Sequence, residues 1–130
     1  MKCLVTGGAG FIGSHITERL LKEGNEVTVL DNFFSGKESN LSFTKELKNP
    51  RAYQLIRGDI RDAATCKKAT EGVNVVFHQA ALRSVPKSMS APLDYNDVNI
   101  NGTVNLLEAC KLNKVKRFVM ASSSSVYGDT

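Results

Sequence analysis

No apolar run in these 130 residues approaches the roughly 20 that a bilayer span requires. Met1 leads directly into Lys2-Cys3-Leu4-Val5-Thr6, without an apolar segment of signal-peptide length. These absences argue against membrane insertion and secretion and predict a cytoplasmic protein. Cysteine is scarce: Cys3, Cys66 and Cys110 are far apart, odd in number, and lack a second Cys or His at metal-ligand spacing. They read as reduced thiols, and no metal site is expected. With no secretory signal, the Asn-x-Ser/Thr matches at Asn40 and Asn101 read as chance rather than glycan acceptors. With only 3 prolines and no low-complexity tract or repeat, neither a linker nor a second domain is visible. A chain with 42% hydrophobic and 23% charged residues reads as one domain, residues 1–130, able to bury roughly two-thirds of its unfolded surface.

Seventeen Lys and Arg against 13 Asp and Glu give a net charge of +4, which suits an acidic partner. The basic residues are scattered, however. Their densest group, Lys111, Lys114, Lys116 and Arg117, follows a helical segment, where cations complement the helix dipole. No recognition motif accompanies them, so no nucleic-acid partner is expected.

Short β-branched or apolar runs alternate with helical stretches, the pattern of a parallel sheet with helical crossovers. Strands are predicted at Lys2 to Thr6, Glu26 to Leu30, Ala52 to Arg57, Asn74 to His78 and Arg117 to Ser122. Helices are predicted at Phe11 to Glu23, Leu41 to Lys48, Asp62 to Glu71 and Leu93 to Asn113. In the last of these, Leu93, Ile100, Val104 and Leu107 form one apolar stripe, and Pro92 stands at the tolerated first turn. Gly24 and Gly72 stand where left-handed caps end helices. Right-handed crossovers with a reversal after the third strand give a doubly wound α/β sheet of order 3-2-1-4-5. Ligands bind such sheets at the carboxyl ends of the strands, beside the reversal.

One loop at those ends carries chemistry. Thr6-Gly7-Gly8-Ala9-Gly10-Phe11-Ile12-Gly13 joins the first strand to the first helix and fits both Gly-x-Gly-x-x-Gly and Gly-x-x-Gly-x-x-Gly. Such a loop brings a pyrophosphate close to backbone N–H groups at a helix N-terminus, where side chains would intrude. Asp31 ends the second strand, where a carboxylate accepts hydrogen bonds from an adenosine ribose. Strand, loop, helix and carboxylate together predict a dinucleotide site. The charge of Asp31 argues for NAD over NADP, while Lys37, six residues on, points the other way.

The chain resembles the N-terminal part of extended short-chain dehydrogenase/reductases, specifically NAD-dependent nucleotide-sugar epimerases and dehydratases. The resemblance rests on the glycine loop through Ser14-His15, on Asp31-Asn32-Phe33 with Ser35-Gly36, on Gly58-Asp59-Ile60-Arg61-Asp62, on His78-Gln79-Ala80-Ala81 and on Asn99. It implies a Rossmann fold and NAD as cofactor. Gly7, Gly10, Phe11, Ile12 and Gly13 would then contact the cofactor, followed by Asp31, Asn32, Ser35 and Gly36 at the ribose. Asp59 and Ile60 would line the adenine pocket, and Gln79, Ala80, Ala81, Asn99 and Ser122 the nicotinamide side. The segment from Ala81 to Ser88, followed by Pro92, is similar to the UDP-sugar 4-epimerase branch, which implies that Arg83, Ser84 and Val85 approach the sugar. Ser84-Val85-Pro86-Lys87 also fits the Ser-x-x-Lys template of serine acylases, a reading set aside because Pro86 disfavours a helical turn there and the partner motifs are missing.

Ala121-Ser122-Ser123-Ser124-Ser125-Val126-Tyr127-Gly128 resembles the family's serine stretch after the fifth strand. By that likeness Ser123 is the catalytic serine that hydrogen-bonds the sugar hydroxyl being oxidised, and Ser124 lines the sugar side. The family's base is a Tyr-x-x-x-Lys tyrosine, whose high intrinsic pKa needs nearby cations. Within these residues Tyr53 is followed four on by Arg57 and Tyr95 by Asn99. The expectation is therefore the NAD-binding portion of a UDP-hexose 4-epimerase, working through a 4-keto sugar, truncated before its last strands and substrate domain and inactive alone. At full length the resemblance implies a UDP-sugar substrate and a homodimer. Two alternatives stand beside it: a dehydratase or decarboxylase of the same family, and a dinucleotide-binding module without catalysis.

Overall fold

The computed structural model describes residues 1–128. Its elements run β1 (Lys2–Thr6), α1 (Phe11–Lys22), β2 (Glu26–Asp31), β3 (Tyr53–Arg57), α2 (Ala63–Ala69), β4 (Val75–His78), α3 (Val85–Ser90), α4 (Pro92–Asn96), α5 (Gly102–Leu112) and β5 (Arg117–Met120). All strand pairs are parallel and the order is 3-2-1-4-5, as the alternation of elements predicts. Because Thr6 pairs with both Leu30 and His78, and His78 with Met120, the carboxyl ends of four strands finish at one level. That level is the floor of the functional cleft.

The central strands are buried on both faces, which explains their continuous apolar runs. On one face Leu4, Leu30 and Val76 pack with Leu106, Cys66 and Ala69 from α2 and α5. On the other, Val5, Val27 and Val29 pack beneath α1 with Leu41. All three thiols are free and buried, and burial pushes Cys66 and Cys110 up to about 11. Gly24 and Gly72 take left-handed φ values of 89° and 70° after α1 and α2, as expected. Asp62 caps α2 by accepting the Ala64 N–H at 3.0 Å.

Three expectations are corrected. No α-helix forms at Leu41 to Lys48; residues Glu38–Glu46 make 3₁₀ turns. Side chains there compete for backbone partners: Thr44 Oγ1 donates to the Leu41 carbonyl at 2.6 Å, and only Leu41 is buried. The single helix from Leu93 to Asn113 is instead α4 and α5 joined by a π-helical turn, Asp97–Asn101. Its predicted apolar stripe faces outward: Leu93 is 82% exposed, Ile100 57%, Val104 52% and Leu107 44%. The buried face is Val98, Gly102, Leu106, Ala109 and Cys110. Small residues win that face because α5 lies close against the loop after β3; a Cβ on Gly102 would stand 2.6 Å from the Ile60 side chain. β5 ends at Met120 rather than Ser122, leaving Val119 and Met120 exposed while Phe118 packs on the core.

The phase of α5 is testable. Leu106→Ala should cost about 2–5 kcal/mol in urea denaturation, whereas Leu107→Ala should cost less than about 1 kcal/mol. Equal costs would mean that the helix buries the other face.

Candidate functional site

A cleft of about 780 Å³ runs across the carboxyl ends of the strands. Its volume suits a cofactor-sized ligand. Its centre is the glycine loop. Gly7 takes φ of 68°, a left-handed turn that sends its N–H to the Leu30 carbonyl at 2.8 Å. A Cβ on Gly13 would stand 2.1 Å from the Gly7 carbonyl oxygen, so only glycine lets α1 begin so close to β1. α1 starts at Gly10 with no capping side chain, leaving its first N–H groups toward the cleft, which Gly10, Phe11, Ile12 and Gly13 line. A helix N-terminus bare of side chains is what a pyrophosphate requires.

Asp31 is 8% exposed and braces this loop. One carboxylate oxygen accepts the Ala9 N–H at 2.9 Å and the other the Phe33 N–H at 2.7 Å. Each oxygen can accept a further hydrogen bond, and Asp31 lines the cleft. Gly36 lies so near that a Cβ would meet Asp31 Oδ2 at 3.0 Å. The Lys37 N–H and the Asn40 amide both bind the Ala9 carbonyl, fastening the following loop to the glycine turn. Arg57, the β3 partner of Asp31, is engaged elsewhere: it pairs with Glu38 and lies over the Phe33 ring at 4.3 Å.

Beyond β3, Asp59 accepts the Arg61 backbone N–H and its guanidinium at 2.7–3.0 Å, and the Asn32 amide at 3.0 Å. The Arg61 hydrogen bonds hold the Asp59 carboxyl down at about 2. Ile60 lies beside it, its carbonyl taken by the Asn105 amide at 3.1 Å.

The end of β4 carries a directed chain of buried hydrogen bonds. Thr6 Oγ1 accepts the N–H groups of Gln79 and Ala80, both at 3.1 Å, and donates to His78 Nδ1 at 2.6 Å. Thr103 Oγ1 donates to the Asn99 carbonyl at 2.7 Å, so it accepts from His78 Nε2 at 2.9 Å, which fixes the neutral Nε2–H tautomer. Burial pushes His78 down to about 4. The loop that follows is held by Asn99, whose amide bonds both the N–H and the carbonyl of Leu82 at 2.8 and 2.9 Å.

The predicted site residues converge on this cleft. Gly7, Asp31, Asn32, Ser35, Gly36, Asp59 and Ile60 line one side. Gln79, Ala80, Ala81, Asn99, Arg83 and Ser84 line the other, with Ser122, Ser123 and Ser124 beyond β5. Ser123 Oγ accepts the Ser125 N–H at 3.0 Å, which keeps its O–H free to donate. Val85 opens α3, and its side chain lies outside the described part. The Ser-x-x-Lys argument needs correcting in its reason: Pro86 sits in the first turn of α3, and that turn is helical. Ser84 Oγ accepts the Lys87 N–H at 3.4 Å, so it caps the helix rather than being primed as a nucleophile. Tyr95 and Thr103 also line the cleft and were missed, while His78, quoted above with the loop after the fourth strand, lines it as well. The spacing of Tyr95, Asn99 and Thr103, four apart on one predicted helix, was the available signal.

A model of the NAD dependent epimerase/dehydratase family matches residues 3–130. The chain belongs to that family. A UDP-glucose 4-epimerase of Klebsiella pneumoniae is 41% identical over 99% of this chain and 94% of that one. Two further curated UDP-glucose 4-epimerases are matched over only 37% and 38% of their length. Among solved structures, the UDP-glucose 4-epimerase of Stenotrophomonas maltophila, with bound NAD and formylated UDP-arabinopyranose, superposes with a TM-score of 0.87 at 35% identity, covering 100% of this chain and 39% of that one. The dTDP-glucose 4,6-dehydratase DesIV of Streptomyces venezuelae, with NAD bound, gives 0.90 at 36% identity, covering 100% and 42%. NAD is the cofactor of this epimerase/dehydratase family member, and the bare helix start, the Asp31 carboxylate and the cleft volume fit it.

The state of His78 sets a pH dependence. The imidazole charges near pH 6.5 when unfolded but only near 4 when folded, so between those values the unfolded chain binds more protons and stability falls as pH falls. A gap of that size is worth about 3 kcal/mol at its acid end. Asp59 contributes stability above its ordinary 3.8 and loses it only toward about 2, below this window. Urea midpoints should therefore drop between pH 7 and about 4.5, and His78→Gln should flatten the drop. An equally steep decline in the variant would assign it to other groups.

Proposed function

We propose that this chain is the NAD-binding part, residues 1–130, of a longer UDP-hexose 4-epimerase that works by transient oxidation at the sugar C4 through a 4-keto sugar. The observation that carries the reading is that Ser122, Ser123 and Ser124 open on the same cleft as the glycine loop and Asp31. When bound, NAD supplies the hydride acceptor and donor. Gly7, Gly10, Phe11, Ile12 and Gly13 cradle its pyrophosphate at the start of α1. Asp31, Asn32, Ser35 and Gly36 hold the adenosine ribose, with Asp59 and Ile60 at the adenine. Gln79, Ala80, Ala81, Asn99 and Ser122 border the nicotinamide side. Arg83, Ser84 and Ser124 face the sugar, with Val85 assigned beside them by resemblance alone, and the free O–H of Ser123 orients the C4 hydroxyl toward the base. That base is outside these residues, in which no tyrosine has a lysine four positions on.

The likeness to a dehydratase supports a second reading, a dehydratase or decarboxylase that shares the first oxidation. Epimerisation is preferred because elimination calls for acidic groups near the serine run, and Ser124-Ser125 supplies none. The exposed stripe of Leu93, Ile100, Val104 and Leu107 supports a homodimer, since apolar rows of this length are commonly covered by a partner. Among the described residues no helix is long and apolar enough to cross a membrane, and with three free buried thiols this supports a cytoplasmic enzyme.

The test is conversion of UDP-galactose to UDP-glucose by the protein at its natural length. Ser123→Ala should lower kcat about a hundredfold with little change in KM. An accumulating 4-keto product would favour the dehydratase or decarboxylase, and NAD binding without any turnover would favour a non-catalytic module.

A further inference from the structure

We infer that Asn32 sets how sharply the base of a dinucleotide is read: its side-chain amide fills the acceptor position of the Asp59 carboxylate that opens on the cleft, and a base amine binds there only by displacing it. NAD as the ligand, with its base beside Asp59, comes from the functional reading above, on which this rests; the competition itself comes from the geometry.

An ionised carboxylate offers about four acceptor positions, two on each oxygen. In Asp59 each is met by a donor among the described residues. Oδ1 accepts the Arg61 backbone N–H at 2.9 Å and Arg61 Nε at 3.0 Å. Oδ2 accepts Arg61 Nη2 at 2.7 Å and Asn32 Nδ2 at 3.0 Å. Strand pairing brings the two loops together: Asp31 and Arg57 are partners in β2 and β3, and the Gly58 N–H bonds the Asp31 carbonyl at 3.1 Å. The exocyclic amine of an adenine is a donor, so at this carboxylate it competes with a group already in place rather than meeting an open lone pair.

Position and charge decide which donor gives way. Asn32 and Asp59 both line the cleft, and Arg61 is not among the described residues that do. Arg61 grips both carboxylate oxygens as a bidentate ion pair, reinforced by its own backbone N–H, and its other terminal nitrogen lies 4.0 Å from Asp97 Oδ2. The Asn32 donor is neutral and stands on the cleft side. Asn32 is exposed, so releasing its amide leaves no buried group without a partner, while its oxygen accepts the Phe34 N–H at 3.0 Å and ties it to the turn after β2. A base amine that takes the Asn32 position replaces one N–H by another on the same oxygen. The number of hydrogen bonds at Asp59 is unchanged, so the amine gains little. A base with a carbonyl in place of the amine leaves Asn32 where it is and loses little.

Isothermal titration of the protein at its natural length with NAD and with nicotinamide hypoxanthine dinucleotide tests this, because the second ligand differs only in carrying a carbonyl where NAD has the base amine. The wild type should prefer NAD by no more than about threefold. Asn32→Ser keeps an oxygen for the Phe34 N–H but is too short to reach Asp59, and should raise that preference about tenfold, the worth of one hydrogen bond to a charged group. Any cost of the substitution to the loop or to the ribose falls on both ligands and cancels in the ratio. Adding Asp59→Asn to Asn32→Ser should return the ratio to within about threefold. An unchanged ratio in Asn32→Ser, or a gain that survives Asp59→Asn, would overturn the competition, as would a wild-type preference above about tenfold. Binding of neither dinucleotide by the wild type would overturn the NAD reading and this inference with it, whereas tight NAD binding with an unchanged ratio would overturn this inference alone.

Discussion

Everything on the functional face depends on how closely the start of α1 approaches the end of β1. The Gly7 carbonyl lies where a Cβ of residue 13 would be, and a Cβ on Gly7 would stand 2.9 Å from the Ala80 nitrogen. With side chains at these points, α1 could not sit over the sheet with its N-terminus bare, and the loop after β4 could not pass beside it. Asp31 then locks the arrangement by taking the Ala9 N–H. One carboxylate thus serves the loop's shape and lines the cleft.

A polar scaffold crosses the apolar sheet at the same level. Thr6, His78 and Thr103 form an unbroken chain from β1 through β4 to α5, and no described buried side-chain nitrogen or oxygen is left without a partner. A buried chain of this kind is favourable only when every member is satisfied, because an orphaned donor or acceptor costs about 1–3 kcal/mol. Its direction is set by the two amide N–H groups arriving at Thr6, which oblige the hydroxyl to donate to His78. The neutral imidazole is therefore part of the scaffold rather than a proton carrier. Asn105 and Asn113 extend the same helix's hold to the loop after β3 and to the end of α2.

Much of this was legible in the sequence. Glycine spacing and β-branched runs report on backbone packing directly, so the strand order, the glycine loop and the acidic residue at the end of β2 followed from pattern alone. The outward turn of Leu93, Ile100, Val104 and Leu107 was not legible, because α5 buries Gly102, Ala109 and Cys110, whose small size matters more than their hydropathy where backbones approach closely. A π turn leaves no mark in a periodicity count except a loss of phase. The 3₁₀ segment after β2 was misread because Thr44 and Asn40 direct their side chains to backbone carbonyls, which no apolar pattern records. Asn99 was expected beside the cofactor, but its engagement with Leu82 required knowing that the loop after β4 folds back beneath the helix.

In the proposed function the glycine loop and Asp31 make one NAD-selective cradle. Isothermal titration of the protein with NAD and with NADP tests it most directly. One NAD should bind per chain, with affinity for NADP at least tenfold weaker, because the Asp31 carboxylate lines the part of the cleft proposed for the adenosine ribose and Arg57 is engaged by Glu38 and Phe33. Equal affinity for the two dinucleotides, or no binding of either, would contradict it.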